Sequence, residues 1–407
     1  MEELERRLER FGILPGLGRV ERICKLLGSP QDRMKVILVT GTNGKGSVTA
    51  YLASMLSCAG HRTGSYFSPH ILRYNERLKI DGKEITDEEF RPYEREVLQL
   101  HDKGQEMTVF EALTAIAYRY FADKGCEYAV VEIGLGGRYD ATNVAKERAA
   151  IITNVELEHT EYLGKTISEI AWDKSHIIKN KDGIAVTGCS GDALAKVRER
   201  ADAVGCMLRA LGTDFSFTLT QATMSGNKID YHGKKERRGL FVPFAGRYQA
   251  ENAALAIAAA EGLGLDDRSI RSGLGSAAHP GRLQILSKGP LVVVDGAHNP
   301  AGIRTIIQNL DLYPRERLVC VFSALEDKDW RGMLSILAPE CDAMVINQLR
   351  NTRAEKAGKI AEEARKYTKA EVVEDIRQSL SRAKELAGKK GMVLVCGSLY
   401  MLGEVMG

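Results

Sequence analysis

The stretch Val36-Ile-Leu-Val-Thr-Gly-Thr-Asn-Gly-Lys-Gly-Ser47 constrains the fold more than any other part of the chain. A short apolar run is followed by a glycine-rich turn at Gly41 to Ser47 and then by a helical pattern from Val48 to Cys58. At such a helix start, consecutive backbone N–H groups point at one spot and the helix dipole favours negative charge, so a polyphosphate binds there. The expected contacts are Gly44, Lys45, Gly46 and Ser47, with Lys45 neutralising the outer phosphates and the Ser47 hydroxyl on Mg2+.

From Lys35 onward, short β-branched runs alternate with helical stretches, the signature of a parallel sheet covered by helices. Strands are expected at Val36 to Val39, Tyr128 to Ile133, Ala149 to Thr153 and Ile184 to Thr187, with a helix at Thr166 to Ile178. Between Phe215 and Val242 the pattern changes to short strands with turn residues, read as an antiparallel segment at the sheet edge. An Ala-rich helix follows at Ala250 to Gly262, and Ser276 to Arg282 reads as a boundary. Beyond it a second strand–helix series starts, with strands at Leu291 to Asp295, Leu318 to Ser323, Ala343 to Asn347 and Met392 to Cys396. The expectation is an α/β protein of two domains, residues 1–282 and 283–407.

With 57 Lys+Arg against 54 Asp+Glu, the net charge of +3 is too small to argue for a nucleic-acid partner. No apolar run approaches the roughly 20 residues that span a bilayer, and Met1-Glu-Glu-Leu-Glu-Arg-Arg lacks the apolar core of a signal peptide, so a cytoplasmic protein without a membrane partner is expected. The eight cysteines form no C-x-x-C pair, and most sit in apolar stretches, where a thiol behaves as a small hydrophobe.

Glu132 ends the apolar run Tyr-Ala-Val-Val-Glu, where a buried carboxylate is costly unless paired or metal-bound. The Gly134-Leu-Gly-Gly that follows is no dinucleotide fingerprint, because Tyr139 stands where the last glycine would be needed. His159 follows the strand ending near Val155, a place where open α/β sheets put ligand residues.

The glycine loop departs from the strict G-x-x-x-x-G-K-[ST] pattern, and its form Gly-Thr-Asn-Gly-Lys-Gly-Ser resembles that of the ATP-dependent amide ligases of the Mur ligase superfamily. Reading on, almost the whole chain resembles the folylpolyglutamate synthase and dihydrofolate synthase family. The marks, in the family's order, are the loop, Ser68-Pro-His-Ile-Leu-Arg-Tyr-Asn-Glu-Arg77, Thr108-Val-Phe-Glu111, Glu132-Ile-Gly-Leu-Gly-Gly-Arg-Tyr-Asp-Ala-Thr-Asn143, Glu158-His-Thr-Glu-Tyr-Leu-Gly164, Pro280-Gly-Arg282, Asp295-Gly-Ala-His-Asn-Pro300 and Gly397-Ser-Leu-Tyr400. This resemblance implies an N-terminal P-loop, Mur-ligase-like ATPase domain with a mostly parallel sheet and a small antiparallel β segment, and a C-terminal Rossmann-like glutamate-ligase domain. It implies ATP and two Mg2+ ions, folate or dihydropteroate and L-glutamate as small-molecule substrates, and a monomer. The reaction runs through an acyl phosphate, which replaces a poor leaving group by a good one.

Carried over residue by residue, the resemblance makes Ser47, Ser68, Glu132, His159 and Lys174 the metal-site residues, with Lys45, His159 and Lys174 catalytic. Asn252, Arg282, Asp295 and His298 join the loop in binding ATP. Thr108, Val109, Phe110, Glu111, Tyr139, Asp140, Ala141 and the segment Gly12 to Pro15 line the pterin side. In the family the lysine matching Lys174 is carbamylated by CO2, and an ammonium paired with Asp173 would speak against that here. Where the family has Asp-His this chain has Glu158-His159. His279 stands where Trp is usual, Gly18 replaces an acid in Gly16-Leu-Gly-Arg-Val20, and Asp173 with Ser175-His176 replaces Glu and Ala-Gly around Lys174. Two other readings compete. One is a related ligase of the superfamily acting on another pterin or on a cell-wall-type carboxylate, though the cell-wall ligases carry an N-terminal nucleotide-sugar domain that the 40 residues before Gly41 are too few to form. A non-catalytic nucleotide binder would not need Glu132, His159 and Lys174 together.

Overall fold

The computed structural model describes residues 2–8 and 16–406, so the expected pterin-side segment at positions 12–15 lies outside the described residues. Two compact units are present, one of Met1–Thr218, Ile229–Val242 and Ala250–Ala278, the other of Leu219–Lys228, Pro243–Gln249 and His279–Gly407.

The first unit is built on an eight-stranded sheet: β1 (Lys35–Thr40), β2 (Thr63–Tyr66), β3 (Leu78–Ile80), β4 (Lys83–Glu84), β5 (Tyr128–Glu132), β6 (Glu147–Ile152), β7 (Ile184–Thr187) and β8 (Met207–Ala210). Their order is β4-β3-β2-β5-β1-β6-β7-β8. The six strands from β2 to β8 in that order pair in parallel, and the β2–β3–β4 end is antiparallel. Central β1 explains its own composition: Val36, Ile37, Leu38 and Val39 are all 0% exposed, because a parallel strand covered on both faces must be apolar throughout. The glycine loop feeds the helix Lys45–Cys58, so Lys45, Gly46 and Ser47 form its first turn rather than a turn ahead of it.

β9 (Ser216–Thr223), β10 (Gly226–His232) and β11 (Arg237–Val242) form a separate three-stranded sheet. The expected antiparallel segment is therefore real, but it does not extend the main sheet.

The second unit carries a six-stranded sheet of β12 (Gln284–Lys288), β13 (Leu291–Val294), β14 (Leu318–Phe322), β15 (Ala343–Ile346), β16 (Lys369–Val372) and β17 (Met392–Cys396), in the order β12-β13-β17-β14-β15-β16. β12 alone is antiparallel. Seven of the eight cysteines are buried and Cys58 is exposed, in line with thiols used as core packing. Among the described residues no helix is long and apolar enough to cross a membrane.

Candidate active site

Register brings the chemistry together at the carboxyl edge of the main sheet, the usual ligand edge of an open α/β sheet. Val39 lies opposite Glu132 of β5, and Thr40 opposite Ile152 of β6, so the glycine loop, Glu132 and Thr153 leave three adjacent strands side by side.

The loop is braced by the residues just past β6. Thr42 N–H donates to the Asn154 carbonyl (3.0 Å) and Asn43 N–H to Asn154 Oδ1 (2.9 Å). Thr153 Oγ1 (2.6 Å) and Asn154 Nδ2 (3.2 Å) donate to the Asn43 carbonyl. Sequence reading missed Thr153 and Asn154 as site residues, and their place directly behind a buried strand was the only signal for them. Lys45 Nζ folds back onto the Gly41 and Thr42 carbonyls at 2.8 and 3.0 Å.

Gly44 has φ +87° and caps the helix start, and a Cβ there would come 2.3 Å from Asn252 Oδ1. Asn252 thus lies against the loop, where it was expected to approach the nucleotide. Gly44→Ala adds a left-handed penalty of about 1–2 kcal/mol and displaces Asn252. Roughly tenfold weaker ATP binding by calorimetry is expected, with circular dichroism reporting an intact fold. Unchanged affinity would show that neither the backbone conformation nor Asn252 matters to the nucleotide.

On the other flank, Ser68 N–H donates to Glu132 Oε2 at 3.0 Å, and Glu132 is 5% exposed. The Ser68 hydroxyl is buried without a hydrogen-bond partner. A buried polar atom left so beside a buried carboxylate fits a hard divalent cation. Among the described residues no three His, Cys, Asp or Glu side chains converge as a metal cluster. Mg2+ does not need one, since it is commonly held by one or two carboxylates together with substrate phosphates and water.

Lys174, near the end of the helix Ile167–Ser175, is 1% exposed. Its Nζ donates to Glu158 Oε1 at 2.9 Å, so Glu158, and not Asp173, is its ionic partner. Burial lowers the Lys174 pKa and outweighs the attraction of Glu158. Burial raises that of Glu158, but the Lys174, Lys45 and His159 charges pull it down to about 2. Lys45 belongs to the same electrostatic cluster, pulling the Glu158 carboxyl and the Lys174 amine down together. Asp173 turns the other way: burial raises its carboxyl, and the backbone N–H groups of Arg138 and Gly137 work against that. His159 is exposed, with φ +46°, a strained value of the kind found at functional loops.

The expected acceptor residues divide into braces and faces. Thr108 and Glu111 form a reciprocal cap on the helix Val109–Asp123, and Glu111 also accepts Arg19 Nε at 3.0 Å. The buried Asp140 carboxylate accepts the Leu135 and Thr142 N–H groups at 2.9 and 3.0 Å, fixing its own loop. Tyr139 is 47% exposed, Val109 and Phe110 are half-buried and Ala141 is buried. Phe110 lies directly under Gly134, where a Cβ would come 2.6 Å from its ring, so the 108–111 and 134–140 segments meet.

In the second unit, Asp295 stands behind β13 and is 5% exposed. Its carboxylate oxygens accept Leu283 N–H (2.9 Å) and Ala297 N–H (2.8 Å). Arg282 Nη2 lies 3.4 Å from His279 Nε2, and His298 Nδ1 lies 2.9 Å from the Gly296 carbonyl oxygen.

Known proteins resemble this chain over almost its whole length. The chain matches the Mur ligase middle domain over residues 39–260 and the Mur ligase glutamate ligase domain over residues 281–399. It is 33% identical over 414 residues to the dihydrofolate synthase/folylpolyglutamate synthase of Bacillus subtilis, covering 97% of this chain and 95% of that one. A Mycobacterium tuberculosis folylpolyglutamate synthase complexed with ADP superposes with a TM-score of 0.94 at 31% identity, covering 100% of this chain and 97% of the other. An Escherichia coli FolC in complex with DHPP and ADP gives 0.91 at 30% identity, over 100% and 95%. Matched almost end to end by these relatives and by both Mur ligase domain models, the chain belongs to the dihydrofolate synthase/folylpolyglutamate synthase family of ATP-dependent glutamate ligases.

Proposed function

We propose that the protein uses ATP to phosphorylate the carboxylate of a folate-type acceptor and then joins L-glutamate to it as an amide. The observation that carries this reading is the Ser68–Glu132 pair set beside the phosphate loop at one sheet edge. An acceptor carboxylate oxygen attacks the γ-phosphorus and ADP leaves. The glutamate amine then attacks the acyl carbon, loses its proton, and phosphate departs with the acceptor oxygen.

The loop N–H groups at Gly44 to Ser47 and the helix behind them hold the phosphates, and Lys45 exchanges its carbonyl partners for phosphate oxygens. Ser47, Ser68 and Glu132 would hold one Mg2+ and His159 with Lys174 a second, and the ions would supply charge that neutralises the transferred phosphoryl group. Lys174 would join that site only as a carbamate, giving up the contact with Glu158, because an ammonium has no lone pair to give. Asn252, Arg282, Asp295 and His298 serve the nucleotide, and residues 108–111 and 139–141 the acceptor. The division of labour is an ATPase part at 1–282 and a glutamate-ligase part at 283–407, in a cytoplasmic monomer.

The test is phosphate release with ATP and L-glutamate against dihydropteroate, tetrahydrofolate and its polyglutamates. Release that requires a folate-type acceptor and L-glutamate together is expected. Release independent of the acceptor, or obtained only with a cell-wall nucleotide acceptor, would refute the reading.

A further inference from the structure

Arg138 sits one residue before the expected acceptor residues 139–141 and takes no part in the machinery described so far. Its guanidinium lies 4.6 Å from the ring centroid of Tyr139 and 4.7 Å from that of Trp172. Trp172 is in turn buttressed by His176, whose ring packs edge-on at 4.3 Å and whose Nδ1 lies 2.7 Å from the Trp172 carbonyl oxygen. Among the described residues the guanidinium forms no ion pair with a carboxylate, although Arg138 is only half-buried and Tyr139 and Trp172 are 47% and 41% exposed.

The chain fixes this arrangement from behind. A Cβ on Gly137 would come 2.8 Å from the Lys174 carbonyl oxygen and 2.9 Å from its Cα, so the loop bearing Arg138 rests directly on the helix bearing Trp172. A guanidinium held over two rings by cation–π attraction keeps its N–H donors available. What it still offers is the in-plane fork of N–H donors, whose geometry matches a carboxylate bidentately. Aromatic neighbours also limit its rotamers, so little ordering is left to do on binding.

We propose that the edge of Arg138, held by Tyr139 and Trp172, binds the α-carboxylate of a glutamate already carried by the folate acceptor. This rests on the reading that residues 139–141 line the acceptor. Dihydropteroate has only the carboxylate that reacts, whereas an acceptor extended through its γ-carboxylate carries a second one. Arg138 is thus a specificity-determining residue that favours glutamated acceptors over unglutamated ones. The incoming L-glutamate also has an α-carboxylate, and the experiment separates the two sources.

The test is steady-state kinetics of the full chain with tetrahydrofolate and with dihydropteroate, for wild type, Arg138→Gln, Arg138→Lys and Trp172→Leu. Arg138→Gln should raise the ratio of KM for tetrahydrofolate to KM for dihydropteroate about 10- to 100-fold, the loss expected for a charge-assisted bidentate contact. Arg138→Lys should fail to restore it, because a point charge lacks the fork, and Trp172→Leu should raise it by a smaller factor. Equal changes for both acceptors, an unchanged ratio, or a rise confined to the KM for L-glutamate would each overturn the proposal. So would a wild type that uses dihydropteroate but not tetrahydrofolate. Absence of phosphate release with every folate acceptor in the wild type would sink the ligase reading itself, and this inference with it.

Discussion

Replacing Lys45 by alanine is expected to lower kcat by roughly 10³-fold or more while leaving the fold intact, in line with the loss of a group that stabilises a transferring phosphoryl. The loop keeps its shape in this variant because Thr153 and Asn154 brace it, and Lys45 only caps two of its carbonyls. Alanine is also the best helix former, so the first turn of the helix Lys45–Cys58 is not weakened. Phosphate release assayed beside a thermal melt separates the two effects. A folded Lys45→Ala protein with wild-type turnover would contradict the role of the loop in phosphoryl transfer.

Lys174→Ala should be the most destabilising single change in the site, and it should also abolish turnover. It deletes one partner of an ion pair whose side chains are 2% and 13% exposed, leaving the Glu158 carboxylate uncompensated. Breaking a buried pair in this way costs about 3–5 kcal/mol. Removing both charges costs less, so the double variant Lys174→Ala/Glu158→Ala should recover much of the lost stability and none of the activity. Denaturant unfolding of both singles and the double closes the cycle. Additive effects on stability would show that the two side chains do not pair in the folded protein, and activity in the double variant would remove Lys174 from the mechanism.

What could be read from the sequence follows from where physics acts locally. β1 and its loop were legible because a strand buried on both faces must be uniformly apolar and because Gly44 needs a positive φ. The helix start at Lys45 was not, since Gly-Lys-Gly reads as turn until the left-handed Gly44 is seen to be the cap. β12 and β16 escaped because both are short, only partly buried edge strands with no apolar run. The Phe215 to Val242 strands were found by their alternation, but which sheet they join is a tertiary choice that alternation does not encode. In the site, Ser68 and Glu132 were named and do meet. The partner of Lys174 was not identified, because Glu158 lies 16 residues away, reached through the loop that holds His159 at a positive φ, while the sequence neighbour Asp173 packs against the turn at Gly136 and Gly137.

The central claim is that an acceptor carboxylate passes through an acyl phosphate. It is tested most directly by giving the enzyme ATP, L-glutamate and an acceptor whose reacting carboxylate carries heavy oxygen. If an acceptor oxygen attacks the γ-phosphorus and leaves with phosphate, one labelled oxygen must appear in each inorganic phosphate, with one ADP and one new amide formed per turnover. Unlabelled phosphate, with the displaced heavy oxygen found in water, would contradict the account.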